Sequence, residues 1–278
     1  MNYLETTSTE NDESIKLFYH DYGSGDPVIL IHGWPLSHQM WEYQVEPLIN
    51  AGHRVIAYDR RGFGKSDKPW GGYDYDTLAK DLNDLINVLN LTNITLVGFS
   101  MGGGEVSRYI GNYGTSKLKK AALISSVAAF MLKTDDNPKG VPAETFEQFK
   151  AGVRKDRLSF LEDFGNNFVN YGDNKDRISK SQVHFNWSVA SQASPKATVD
   201  CIDSFGTTDF REDLKSFDIP TLIVHGDADQ VVPIEPSAKQ AASIVKGSTL
   251  EIINDAPHGL VFTHTEELNK ILIDFLAK

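Results

Sequence analysis

The pentapeptide Gly98-Phe99-Ser100-Met101-Gly102 constrains the fold of this chain more than any other stretch. It follows the apolar, strand-like residues 94–97 and leads into the helix-favouring residues 105–110. A serine with glycines two positions before and after it, at an abrupt turn from strand to helix, is the pattern of a nucleophile elbow. The pattern predicts that Ser100 is presented at the end of a strand within a sheet of alternating strands and helices.

The spacing of the glycines has a physical reason. A residue at so tight a turn takes strained backbone angles, and glycines on either side remove the Cβ atoms that would clash there. The helix that begins behind Ser100 directs N–H groups and the positive end of its dipole to the place where a carbonyl oxygen becomes negative during acyl transfer. The alternative interpretation, a glycine-rich turn with an incidental serine, is disfavoured by the strand and helix around it. We therefore interpret Ser100 as a nucleophile.

Composition narrows the classes of partner. The 278 residues suffice for one large α/β domain, and 40% hydrophobic and 23% charged residues are ordinary for a globular protein. A net charge of −11 without a basic cluster argues against nucleic acid and against anionic membranes. The single cysteine, Cys201, leaves no internal disulfide and no thiolate metal site, so we expect no metal. Residues 1–13 are polar and lack an apolar signal segment, which predicts a cytoplasmic protein.

Strands and helices alternate through most of the chain. Residues 1–12 are expected to fray, and residues 15–20 alternate in polarity as an antiparallel strand does. Leucines at helical spacing mark an amphipathic helix that starts near Asp76. Continuous apolar runs, typical of strands buried on both faces of a parallel sheet, occupy residues 28–31, 55–58, 94–97, 121–124, 220–224 and 249–253. This alternation predicts an α/β fold with a mostly parallel, doubly wound sheet.

The alternation is interrupted once. Residues 127–211 contain only helix-like segments, broken by prolines and glycines. We expect these residues to form a helical cap inserted between the two parts of an α/β core, residues 1–126 and 212–278. Such an insertion would cover the carboxyl ends of the strands, where substrates bind in these sheets. Near the C-terminus, Thr263 and Glu266 have the spacing of a capping box for the last helix.

A serine nucleophile needs a base, and the base needs a group that fixes its tautomer. Of the eight histidines, His258 is the best candidate for the base. It follows the last strand in a short loop, so it lies at the sheet edge where Ser100 emerges. His32 and His225, each followed by glycine at a strand end, are interpreted as structural residues.

The orienting carboxylate should come from the strand end that precedes His258. Two residues there, Asp227 and Asp229, qualify, and spacing alone favours neither. Asp227 is suited to cap the turn after Gly226, whereas Asp229 lies further into the loop. The chain order of serine, aspartate and histidine is that of α/β-hydrolases.

Motifs spread over nearly the whole chain resemble one group of proteins, the cofactor-free α/β-hydrolases that include bacterial aryl esterases, perhydrolases and non-haem chloroperoxidases. The resemblance implies an α/β-hydrolase fold with Ser100 as nucleophile, His258 as base and Asp229 as the orienting carboxylate. It also implies an oxyanion hole made of the backbone N–H groups of Trp34 and Met101. The motifs that carry it are His32-Gly33-Trp34-Pro35, Asp59-Arg60-Arg61-Gly62-Phe63-Gly64, residues 98–104, Ala197-Thr198-Val199-Asp200-Cys201, Thr208-Asp209-Phe210, His225-Gly226-Asp227-Ala228-Asp229 and Ala256-Pro257-His258-Gly259.

The resemblance also implies an activity. A serine carboxylesterase of this group forms an acyl-enzyme from a small ester or carboxylic acid, and hydrogen peroxide can then release the acyl group as a peracid. The peracid can oxidise halide in solution, which gives haloperoxidase activity without a cofactor. The resemblance further suggests a homo-oligomer, a trimer or a hexamer. The alternatives are a lactamase-type hydrolase that uses the same triad, and a non-catalytic binding protein of the same fold.

Substrate contacts are predicted less sharply. Pro35 has a fixed φ and restricts Trp34 to extended angles, so the Trp34 carbonyl would be held rigidly beside the oxyanion site. We hypothesise that this carbonyl accepts a hydrogen bond from peroxide; the alternative is that Pro35 only stiffens a loop. An apolar pocket for acyl and alcohol groups is predicted from Val127, Met131, Phe149, Phe164, Phe205, Val231 and Val232, although some of these residues could simply be cap core.

Overall fold

An eight-stranded sheet forms the centre of the molecule in a computed structural model that describes residues 2–7 and 14–278. The strands lie in the order β1-β2-β4-β3-β5-β6-β7-β8. Strands β3 to β8 are parallel, and β2 pairs antiparallel with both β1 and β4. The predicted mostly parallel sheet is therefore confirmed. The strands are β1 (Asn2–Thr7), β2 (Ser14–Tyr22), β3 (Pro27–Ile31), β4 (Arg54–Tyr58), β5 (Ile94–Phe99), β6 (Leu118–Ile124), β7 (Thr221–Gly226) and β8 (Thr249–Ile253).

Helices cover both faces of this sheet, with α1 against α11 and α2 against α3. The leucine stripe of α2 is buried, and Asp74 caps that helix by accepting a hydrogen bond from Thr77 N–H. The helices are α1 (Glu42–Asn50), α2 (Tyr75–Val88), α3 (Met101–Tyr113), α4 (Ala143–Lys155), α5 (Arg157–Phe168), α6 (Lys180–Ser191), α7 (Pro195–Thr207), α8 (Arg211–Leu214), α9 (Gln240–Ile244), α10 (Leu260–Thr263) and α11 (Thr265–Ala277), with a 3₁₀ helix at His38–Trp41 and a π-helical turn at Glu235–Lys239.

The central strands β3, β5 and β7 are buried along their whole length. Their side chains are mostly apolar on both faces because helices pack on each side, as the continuous apolar runs predicted. Each fully buried Val, Leu or Ile contributes about 1.5–3 kcal/mol relative to an exposed one. The carboxyl ends of these strands are thus a rigid edge on which catalytic loops can be placed.

Strand β1 differs from the expectation for the N-terminus. Asn2–Thr7 pairs with β2, with Leu4 and Thr6 buried. The Thr6 hydroxyl donates hydrogen bonds to Asp81 and Asp84 of α2. Composition predicted fraying because these residues are mostly polar, but pairing with β2 and the contacts with α2 order the segment. The remainder of the fraying prediction, residue 1 and residues 8–12, lies outside the described residues.

The capping box expected for the last helix is not present. Thr263 ends α10 instead of capping α11, and its hydroxyl bonds to Gly259 O and His264 Nδ1. His264 occupies the N-cap of α11 and makes no side-chain capping bond. The prediction was wrong because the short helix α10 directly precedes α11, which places Thr263 inside another turn.

Between β6 and β7 the chain leaves the sheet. Helices α4, α5, α6 and α7 fill this excursion, and α4 packs against both α5 and α7. The limits of the cap at residues 127 and 211 stay an interpretation of the sequence. Within the part of the chain that the structure describes, no helix is both long and apolar enough to cross a membrane.

Candidate active site

Ser100 lies at the junction between β5 and α3, at the carboxyl edge of the sheet. Its φ of 53° and ψ of −119° are strained for a residue with a side chain. A Cβ at Gly98 would collide with the Gly102 carbonyl, and one at Gly102 would collide with the Ile31 carbonyl of β3. Both glycines are therefore required for the close approach of strand, turn and helix that the elbow needs.

The side chains of Ser100, His258 and Asp229 form a continuous hydrogen-bonded chain. His258 Nε2 lies 2.9 Å from Ser100 Oγ, and His258 Nδ1 lies 2.7 Å from Asp229 Oδ2. The imidazole is buried between the rings of Phe99 and Phe168, each 5.0 Å away between ring centroids. With Nδ1–H donated to the carboxylate, Nε2 is free to accept the serine proton.

Asp229 is held by the turn after β7. Its Oδ1 accepts hydrogen bonds from the backbone N–H groups of Val231 and Val232, at 2.9 and 2.8 Å. Burial opposes ionisation of this carboxyl, but the facing His258 and the bond from His225 outweigh it and hold the pKa of Asp229 below its ordinary value. Asp229 is thus an anion across the neutral pH range, as an orienting group must be.

Asp227, the other aspartate that spacing allowed, points elsewhere. Its Oδ1 accepts a hydrogen bond from the backbone N–H of Asp255 at 2.7 Å, which ties the turn after β7 to the turn after β8. It makes no hydrogen bond to His258, whose Nδ1 is bonded to Asp229. The hydrogen bonds therefore distinguish Asp227 from Asp229, which the spacing in the sequence could not.

The loop after β3 packs directly against the nucleophile. A Cβ on Gly33 would lie 2.6 Å from a ring carbon of Phe99 and 3.1 Å from Ser100 Cβ, so glycine suits this close approach of the backbone. Trp34 follows, joined to Pro35 by a cis peptide bond, and its indole N–H donates to Thr198 O of α7 at 3.1 Å. On the other side of Ser100, Met101 is the first residue of α3, so its N–H has no acceptor within the helix. The loop and the helix start flank Ser100, as an oxyanion hole requires.

A narrow apolar cavity of about 40 Å³ lies over Ser100 and His258. It is far smaller than the roughly 300–1,000 Å³ of sites that hold drug-sized ligands. Rings of the cap form much of its wall: Phe164 and Phe205 lie 5.1 and 5.6 Å from the Trp34 ring between centroids. The lining comprises Trp34, Val127, Met131, Val141, Thr145, Phe146, Phe149, Phe164, Phe205, Val231 and Val232 around Ser100 and His258.

This lining includes every residue that the sequence suggested for the apolar pocket, and Pro35, the other predicted substrate contact, is not part of it. Pro35 lines a neighbouring cavity of about 20 Å³, which shares Phe164 with the first. Sequence reasoning missed Val141, Thr145 and Phe146. Phe146 could have been found, because it precedes Phe149 by three residues on the same face of α4.

No catalytic role was predicted for three buried charged or titratable side chains near the site, His225, which was interpreted as structural, Arg60 and Glu105. His225 Nε2 bonds to Val232 O at 2.9 Å and lies 3.2 Å from Asp229 Oδ2, so this histidine contacts the triad carboxylate. Arg60 and Glu105 form an ion pair with Nε 2.8 Å from Oε2. Burial lowers the pKa of Arg60 and raises that of Glu105, so each charge depends on its neighbour.

The remaining titratable groups near the elbow are structural. Burial and the nearby Arg60 guanidinium lower the pKa of His32 to about 3, so its imidazole is neutral. Burial raises the pKa of the Cys201 thiol to about 12, which leaves no nucleophilic thiolate there. Among residues 2–7 and 14–278, no group of three or more His, Cys, Asp or Glu side chains could hold a metal ion.

Comparison with known proteins identifies the family. The model of the α/β hydrolase fold family matches residues 26–265. The chain belongs to that family. The hydrolase is 43% identical over 268 residues to a non-haem chloroperoxidase from Kitasatospora aureofaciens, with 96% of this chain and 98% of that one covered. It is 39% identical to a bifunctional esterase/perhydrolase from Acinetobacter calcoaceticus, with 99% of each chain covered.

A solved structure agrees with these relatives. A bromoperoxidase from Bacillus anthracis superposes on the hydrolase with a TM-score of 0.94 and 50% identity, covering 99% of this chain and 100% of that one. The α/β-hydrolase fold and the resemblance to the esterase, perhydrolase and non-haem chloroperoxidase group are therefore confirmed. The hydrolase shares its fold and nearly its full length with proteins named for both ester and halide chemistry.

Proposed function

We propose that this hydrolase is a serine carboxylesterase that also performs perhydrolysis, with Ser100 as nucleophile, His258 as general base and Asp229 as the orienting carboxylate. The observation that carries the proposal is the chain of hydrogen bonds from Ser100 Oγ through His258 to Asp229, at 2.9 and 2.7 Å. Relatives named non-haem chloroperoxidase and esterase/perhydrolase over nearly the whole chain support the same reaction.

The geometry supports a two-step acyl transfer. Ser100 Oγ attacks the ester carbonyl while His258 Nε2 takes the serine proton, and the tetrahedral oxyanion lies against the N–H groups of Trp34 and Met101. His258 then gives that proton to the leaving alcohol, and an acyl-enzyme remains on Ser100. Water attacks the acyl-enzyme to give a carboxylic acid, or hydrogen peroxide attacks it to give a peracid. His258 takes a proton from the attacking molecule and gives it to Ser100 Oγ as the bond between Ser100 and the acyl group breaks.

The substrate is a small ester or carboxylic acid. A cavity of about 40 Å³ with aromatic and aliphatic walls accepts a short acyl group and excludes charged or long ones. Peracid released from the site oxidises halide in solution, so this activity is indirect and needs no redox centre. A homo-oligomer and cytoplasmic residence belong to the same proposal, as the sequence predicted them.

Pro35 is expected to set the ratio of the two deacylation reactions. In the proposed role, the Trp34 carbonyl that precedes Pro35 accepts a hydrogen bond from attacking peroxide, and proline holds that carbonyl in place. Pro35→Leu should therefore lower the rate of peracetic acid formation several-fold and leave hydrolysis of p-nitrophenyl acetate close to wild type.

The measurement compares both rates for wild type and Pro35→Leu with p-nitrophenyl acetate, with and without hydrogen peroxide, in buffer that contains a chelator. The wild type should release p-nitrophenol in both conditions and form peracetic acid only with peroxide. An unchanged ratio of perhydrolysis to hydrolysis in Pro35→Leu would show that this proline only stiffens the loop. Absence of ester turnover in the wild type would contradict the proposed function itself.

A further inference from the structure

Two buried side chains outside the triad connect the loop after β3 with helix α3, the two segments that flank Ser100. Arg60 lies in the loop after β4, and Glu105 lies in α3, 1% and 0% exposed respectively. A buried ion pair is a weak source of stability, because removing both charges from water costs about as much as their attraction returns. We therefore consider which parts of the structure this ion pair holds in position.

Arg60 binds the end of β3 at two points. Its Nη2 donates to the His32 carbonyl at 2.7 Å, and its backbone N–H donates to His32 Nε2 at 3.0 Å. His32 Nδ1 in turn bonds to the Gly33 carbonyl at 2.9 Å. The neutral state of His32 suits this arrangement, since one ring nitrogen accepts and the other donates. Arg60 thus fixes the two residues that immediately precede Trp34.

The partner of Arg60 in this ion pair lies in the elbow helix, α3. Glu105 is four residues after Met101 in α3, and its Oε2 accepts from Arg60 Nε at 2.8 Å. Gly102, between them in sequence, packs against the Ile31 and His32 carbonyls so closely that a Cβ would clash with both. Since an α-helix moves as a rigid unit over one turn, the position of Glu105 also sets the position of Met101 N–H.

We propose that Arg60 and Glu105 are positioning residues that set the separation between the two oxyanion-hole donors, the N–H groups of Trp34 and Met101. This inference rests on the proposed serine esterase function. The guanidinium is suited to the task because its Nε and Nη2 reach the helix and the strand end at the same time. Neither residue contacts the substrate cavity, so they act on the reaction only through the donors.

Arg60→Lys keeps the positive charge but has one nitrogen, which cannot reach both Glu105 and the His32 carbonyl. Loss of a whole oxyanion donor costs about 10²–10³ in rate, and misplacement by about 1 Å costs about 10². We expect kcat for p-nitrophenyl acetate to fall about 10- to 100-fold with little change in KM, because the donors act on the transition state. Glu105→Gln keeps an acceptor for Arg60 Nε but loses the negative charge, so its kcat should still fall several-fold, though less than that of Arg60→Lys.

The neighbouring residue provides a matched control. Arg61 and Asp81 form another buried ion pair, 0% and 2% exposed, with contacts of 2.6 and 2.7 Å. Asp81 lies in α2 and accepts a hydrogen bond from Thr6 of β1, and the side-chain hydrogen bonds of this pair join neither the end of β3 nor the elbow helix. Arg61→Lys should lower the melting temperature as Arg60→Lys does, yet keep kcat per folded molecule near wild type.

The experiment compares wild type with Arg60→Lys, Glu105→Gln and Arg61→Lys. It measures kcat, KM, the melting temperature and the affinity for a trifluoromethyl ketone. This ketone forms an oxyanion adduct with the catalytic serine. Weaker ketone binding in Arg60→Lys, in proportion to its loss of kcat, supports the inference. Equal kcat values in folded Arg60→Lys and Arg61→Lys overturn the inference. If Arg60→Lys does not fold, a Glu105→Gln variant with the kcat and ketone affinity of the wild type overturns it. A wild type without ester turnover overturns the proposed function, and the inference with it.

Discussion

Replacement of Asp229 by asparagine should lower kcat for p-nitrophenyl acetate by about 10⁴-fold while the protein stays folded. An asparagine side chain can still accept the Val231 and Val232 N–H groups with its oxygen. Its amide nitrogen would then face His258 Nδ1 and donate to it. The imidazole would be held in the tautomer that carries its proton on Nε2, so it could not take the proton of Ser100.

Asp227→Asn is the matched control for this prediction. Asp227 lies in the same turn and accepts one backbone N–H, from Asp255, but makes no hydrogen bond to His258. We expect its kcat to stay within a few-fold of wild type. Similar losses in both variants would show that the turn, and not the carboxylate at Asp229, is what activity depends on.

Ser100→Ala should have an effect at least as large. Without the hydroxyl no acyl-enzyme can form, and loss of a triad serine costs about 10⁴–10⁶ in kcat. Peracid formation should disappear with hydrolysis, because both reactions pass through the same intermediate. The assay is p-nitrophenyl acetate turnover with and without hydrogen peroxide, together with circular dichroism to verify folding.

Ser125→Ala is the control for the serine. Ser125 follows β6 at the same sheet edge, is fully buried, and its hydroxyl makes no hydrogen bond in the described structure. Its removal should leave both reactions close to wild type. Activity that survived Ser100→Ala would mean that the elbow carries another function.

The sequence predicted the strands and the elbow because their signals are local. Apolar runs identified the parallel strands, and the glycine spacing around Ser100 is a local pattern, although Gly102 is required by its contact with β3. His258 was predicted from its place after the last strand. The choice between Asp227 and Asp229 depended on resemblance, because it is decided by which way one loop turns after Gly226.

What the sequence did not predict depends on contacts between distant residues. Thr6 orders β1 through side chains 75 and 78 positions away, which the polar composition of the N-terminus does not reveal. Arg60 and Glu105 are 45 positions apart, so no spacing rule joins them. The sequence also did not predict the small cavity beside the substrate pocket, which Pro35 lines together with residues of α5 and α6.

The most direct test of the account is to find where the acyl group is held. The hydrolase is mixed with p-nitrophenyl acetate, quenched in acid within the first turnovers, digested and analysed by mass spectrometry. The account predicts an acetyl group on the peptide that contains Ser100, lost on chase with buffer and absent from Ser100→Ala. Turnover without an acetylated Ser100, or stable acetylation only at another residue, would contradict it.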